Sequence, residues 1–140
     1  MSGSILKSLS PLSALALGAA VLFAPALSAA ELAQQSSQAG GVSISVKPTD
    51  VSPTAANWLF QVSMNTHTGD LGDDLSRTAV LVDPAGKQYP ATAWQGDPAG
   101  GHHRNGVLQF KPLSPVPKAL KLRIQRPGET APRTFTWQLK

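Results

Sequence analysis

Residues 57–66 read NWLFQVSMNT. Successive side chains of an extended chain point to opposite faces, so Trp58, Phe60, Val62 and Met64 fall on one side and Leu59, Gln61 and Ser63 on the other. A large apolar residue at every second position marks a strand that buries one face.

The same alternation recurs on both sides of this segment. Upstream, Val42, Ile44 and Val46 alternate with serines and Lys47, and Pro48 is expected to end the run. Downstream, Leu120, Leu122 and Ile124 alternate with Lys121, Arg123 and Gln125, and Phe135, Trp137 and Leu139 with Thr134, Thr136 and Gln138. Shorter strands are expected at 78–83 (TAVLVD), 88–95 (QYPATAWQ) and 106–111 (GVLQFK). Pro90 lacks a ladder donor and assigns its strand to a sheet edge. The connections DPAGKQ and PGET are turns, and three prolines stiffen KPLSPVPK into an extended crossover. Within Gly69 to Arg77, LGDDL predicts a single helical turn with Asp73 near its start. About seven short strands with regular turn signals predict an all-β immunoglobulin-like antiparallel sandwich, with a small open barrel as the alternative.

Composition agrees with this class. The chain has 140 residues, 14% of them charged, with 12 glycines, 12 prolines and no cysteine. Disulfides, thiolate metal sites and CxxC redox chemistry are thereby excluded.

The first thirty residues are expected to lie outside the fold. Lys7 is the only charge before Glu31, and the apolar stretch LSALALGAAVLFAPAL leads to Ser28, Ala29 and Ala30. A basic start, an apolar core and small residues at the end predict a signal peptide over 1–30, cleaved after Ala30, and a periplasmic or secreted protein. The competing reading is an uncleaved anchor, the only case that places the chain in a membrane. Residues 31–41 (ELAQQSSQAGG) read as a flexible leader, and 42–140 as the sandwich domain. Charge is uneven: residues 31–100 carry three basic and seven acidic groups, residues 101–140 eight basic and one acidic. Mutual pairing of the two parts explains this most simply, and an anionic partner is the alternative.

Candidate chemistry concentrates in two loops. His67 follows the second strand, and His102 and His103 sit in a glycine-rich stretch. Imidazole nitrogen suits Zn or Cu, and Asp70 and Asp74 can complete such a site with carboxylate oxygens. Met64 offers a thioether, but it shares a face with Trp58 and Phe60 and reads as core. In the alternative, the histidines pair with the aspartates and join the loops. Arg104 beside Gly100 and Gly101 is a candidate contact for an anion or a partner. Catalysis is not expected: the two glutamates, Glu31 and Glu129, lie in the leader and in a turn, and no GxSxG, SxxK, HExxH or phosphate-loop motif is present. Lys121 and Arg123 form a basic strand face without interleaved aromatics, which argues against nucleic acid as a partner.

THTGDLGDDL (66–75) and WQGDPAGGHHRNGVLQF (94–110) resemble a small group of bacterial exported domains that share THxxDLxxDL and GDPxGGHHRxGVLxF stretches. The resemblance implies an immunoglobulin-like fold and a single unit made by His67, His102, His103 and Arg104. It implies no activity. The expected function is therefore binding without catalysis. One form is a Cu or Zn module using His67, His102, His103, Asp70 and Asp74; the other is an accessory domain that docks an envelope protein or polymer.

Overall fold

The computed structural model describes residues 32–139. The signal segment expected over 1–30 lies outside the described residues. Among them, nine strands and one short helix follow in the order β1 (Gln35–Ala39), β2 (Val42–Asp50), β3 (Trp58–Thr66), α1 (Leu75–Thr78), β4 (Ala79–Val82), β5 (Gln88–Pro90), β6 (Ala93–Gly96), β7 (His103–Phe110), β8 (Ala119–Ile124) and β9 (Arg133–Gln138). All described pairings are antiparallel. They build a five-stranded sheet ordered β1-β2-β3-β7-β6 and a four-stranded sheet ordered β5-β4-β8-β9. Leaving β1 aside, these are the A-B-E-D and C′-C-F-G orders of an immunoglobulin-like sandwich.

The alternating residues form the core. Ile44, Val46, Trp58, Phe60 and Met64 of the first sheet meet Leu81, Leu120, Leu122 and Phe135 of the second, all buried. Phe60 is central: its ring lies edge-on to Phe110 at 5.5 Å and tilted against Trp137 at 5.8 Å. Each buried ring or branched side chain stabilises the fold by roughly 1.5–3 kcal/mol.

Several expectations need correction. Residues 31–41 are not a bare leader, because Gln35–Ala39 pair with Ala39's partner Val42 through to Val46 across a two-residue turn. Gly40 and Gly41, at φ 56° and 79°, supply the two left-handed positions that such a turn requires. Pro48 does not end β2; the strand runs on to Asp50 and absorbs the missing donor at a register shift between Pro48 and Asp50. The segment 88–95 is two strands: β5 is an edge of the second sheet, as Pro90 requires, and the chain then crosses at Ala91 and Thr92 to become β6, an edge of the first. The cap of α1 is Asp74 and not Asp73: the Asp74 carboxylate accepts from the Ser76 N–H at 3.1 Å.

Candidate functional site

The β1–β2 turn, the 67–74 loop, the 97–102 loop and the 125–132 turn gather at one end of the sandwich. The two histidine-bearing loops are joined through their backbones. Leu71 N–H donates to the Gly101 carbonyl at 3.0 Å, Gly100 N–H to the Leu71 carbonyl at 2.8 Å, and Thr66 N–H to the His102 carbonyl at 2.9 Å. Asp70 adds a side-chain contact, accepting from the Gly101 N–H at 2.7 Å.

Arg104 lies behind these loops. It pairs with buried Met64 across the β3–β7 ladder, which turns its side chain into the sandwich, and it is only 2% exposed. Its Nη1 donates to the Leu71 and Asp73 carbonyls at 3.2 and 2.6 Å, and its Nε to the Asp97 carbonyl at 3.4 Å. The guanidinium faces the Trp94 ring at 5.3 Å. Trp94 in turn lies on Gly106, where an added Cβ would come within 2.6 Å of the indole. Arg104 is thus not at the surface, where the expected role as an anion or partner contact would need it: it is buried, and its Nη1 and Nε bond loop carbonyls.

An ion network continues from this point. Asp73, whose side chain is 1% exposed, receives Arg126 through two bonds of 3.0 and 3.2 Å. Arg126 also meets Glu129 at 3.4 Å, and Glu129 accepts from Arg133 at 2.9 and 2.7 Å. Arg133 closes the chain by donating to the carbonyls of Ser37, Ala39 and Val42 in the β1–β2 hairpin. The Arg133 hydrogen bonds hold the Glu129 carboxyl below its ordinary range against the opposing effect of burial, with Arg133 and Arg126 charges adding to the lowering. Burial works against the charge of Arg126, but Asp73 and Glu129 outweigh it and raise its pKa. Acidic and basic parts of the chain thus meet at Asp73 and Arg126.

The remaining candidates are spread around this frame. His67 and His102 are exposed; His103 opens β7 on the outer face of the first sheet, with Nδ1 hydrogen-bonded to Asn65 Oδ1. Asp74 is engaged with Ser76, whose hydroxyl is 2.6 Å away, and that bond chiefly lowers its pKa. Among the described residues no three His, Cys, Asp or Glu side chains form a group that could hold a metal ion. His67 instead lines an open cleft of about 400 Å³ with Gln38, Ser43 and Asn65.

Arg126, Glu129 and Arg133 were not among the site candidates read from the sequence, yet a signal exists for Arg133, as it does for the inward turn of Arg104. Arg133 shares the parity of Phe135 and Trp137, and Arg104 that of Leu108 and Phe110. A cation in a core-facing register has to find acceptors inside.

The chain matches no protein-family model, and no curated protein is similar to it. Among solved structures it is similar to a DUF4426 family protein from Pseudomonas aeruginosa, with 14% identity and a TM-score of 0.41 over 74% of this chain and 90% of that one.

Proposed function

We propose that the protein is an exported, non-catalytic docking domain, periplasmic or secreted, that presents the sandwich to an envelope protein or polymer. The carrying observation is the inward turn of Arg104 onto the Leu71 and Asp73 carbonyls, together with the Asp70 bond to Gly101. Asp70, Asp74 and Arg104 are engaged in fixing the loops, which supports a reading of this end of the sandwich as a rigid frame. The apolar segment before Ala30 supports export.

The test combines fractionation and metal titration. The protein is expected to sediment saturably with the isolated envelope fraction. Zn and Cu are expected to shift its melting temperature no more than that of a His67→Ala, His102→Ala, His103→Ala variant. A saturable metal-induced stabilisation lost in that variant would overturn the reading in favour of a Cu or Zn site. Failure to sediment would overturn docking.

A further inference from the structure

Register fixes the outer face of the four-stranded sheet. Leu81, Leu120, Leu122, Ile124, Phe135 and Trp137 are buried, so the residues between them point out. Two cross-strand rows cover that face, one running Pro90, Val80, Arg123, Thr134 and the other Gln88, Val82, Lys121, Thr136. Ala119 and Gln138 close it at one end, and Gln125, whose amide donates to the Glu129 carbonyl, extends it at the other. None of these positions holds a carboxylate, so the charge of the face is positive alone.

The two cations find no counter-charge within the described residues. Each described carboxylate accepts a hydrogen bond from elsewhere in the chain, at a turn, at the α1 cap or in the Asp73–Glu129 network. No ion pair among the described residues includes Lys121 or Arg123. The three arginines that flank them in the chain, Arg104, Arg126 and Arg133, are all turned to internal acceptors.

We propose that this face binds an acidic polysaccharide, an inference that rests on the docking function above and makes the docked component a polymer. Charge complementarity identifies an anion. Lys121 and Arg123 stand two residues apart on one strand, about 7 Å between Cα atoms, so one flexible polyanion reaches both. Arg123 adds a planar fork that matches a carboxylate. The neutral groups favour a sugar as the carrier of that charge. Thr136 and Thr134 lie directly across the ladder from Lys121 and Arg123, and the side chains of Gln88, Thr134, Thr136 and Gln138 make no hydrogen bond to another described residue. They leave hydroxyls and carboxamides to pair with sugar hydroxyls. Other partners fit the face less well. It presents no aromatic ring on which a nucleobase stacks, a protein interface anchors or a bilayer interface holds.

The experiment is an NMR titration of the purified protein with a hexamer of galacturonic acid, a glucose hexamer and phosphatidylglycerol vesicles, beside the envelope sedimentation assay. The uronate hexamer is expected to shift the amide signals of Lys121, Arg123, Thr134 and Thr136 saturably, and to bind about tenfold or more tighter than the glucose hexamer. In 1 M NaCl, where the screening length is about 3 Å, that binding should be lost. A Lys121→Gln, Arg123→Gln double variant and a Thr134→Glu variant, each with an unchanged circular dichroism spectrum, are expected to weaken it about tenfold or more. Lys47→Gln, on the outer face of the other sheet, should leave it within about twofold. No saturable shift, shifts centred elsewhere, equal affinity for the glucose hexamer, or full affinity in either variant would overturn the proposal. Tighter binding to the vesicles would overturn it in favour of a bilayer. Envelope sedimentation that both variants retain in full, or that protease treatment of the envelope abolishes, overturns the polysaccharide while leaving docking in place. Absence of both uronate binding and sedimentation overturns both.

Discussion

The side-chain amide of Gln35 lies against the peptide group of Thr136, 101 residues away in the chain: Nε2 donates to the Thr136 carbonyl, and Oε1 accepts from its N–H at 3.0 Å. Gln35 thereby covers part of the free edge of β9, which ends the second sheet. Nearby, Trp137 Nε1 donates to the Ala33 carbonyl at 2.7 Å, so the first described residues bridge the edges of both sheets. An uncovered edge is a template for pairing with another chain.

Gln35→Ala is expected to destabilise the protein by about 1–2 kcal/mol, the scale of two lost hydrogen bonds. It should also promote association through β9. Urea denaturation and size-exclusion chromatography check both effects. A variant as stable and as monomeric as the parent would show that Gln35 does not protect the edge.

Acid should weaken the loop end through Glu129. Its folded pKa lies below its unfolded value, so its contribution is complete above about pH 4.5 and is lost as pH falls through the lower, folded pKa. Melting temperatures from pH 7 to 3 are expected to hold to near pH 5 and then fall. In Glu129→Gln the fall should be shallower and the neutral-pH value lower; parallel curves for the two proteins would contradict this.

Arg104→Ala removes the donors to three loop carbonyls and is expected to cost about 3 kcal/mol, within the range for leaving buried polar groups unpaired. Arg104→Lys should recover only part, because an ammonium cannot reproduce the planar fork. Hydrogen exchange gives the specific readout. The Gly100 and Leu71 amides, which join the two loops, should exchange faster in both variants than in the parent.

Gly106→Ala is expected to cost about 1–3 kcal/mol by overpacking. The new methyl meets the Trp94 ring and the Gln95 carbonyl, at 2.6 and 2.7 Å before any relaxation. Displacing the indole from Gly106 also moves it from Arg104, so indole fluorescence should change together with stability. Unchanged fluorescence in a destabilised variant would place the strain in the β6–β7 backbone instead.

Much of the sandwich is legible in the sequence. The parity of Trp58, Phe60, Val62 and Met64 assigns their faces, and the same parity in β8 and β9 supplies the opposing layer. Pro90 correctly marks an edge. The Gly40–Gly41 pair was a hairpin signal in its own right, concealed by the polar residues of β1. Of the site, the sequence located the two loops, but it misassigned Arg104, whose parity with Leu108 and Phe110 already pointed inward.

Sequence alone determined the alternating strands β2, β3, β8 and β9, their buried faces and the all-β class, because alternation is a property of neighbouring residues and every solution must bury the same apolar set. Only the tertiary structure decided that β1 belongs to the fold, that 88–95 divides between sheets, and that Arg126 finds Asp73 while Gln35 finds Thr136. A strand edge or a buried charge takes whatever acceptor the fold brings to it. Those acceptors lie as much as 101 residues away, beyond the reach of any local pattern.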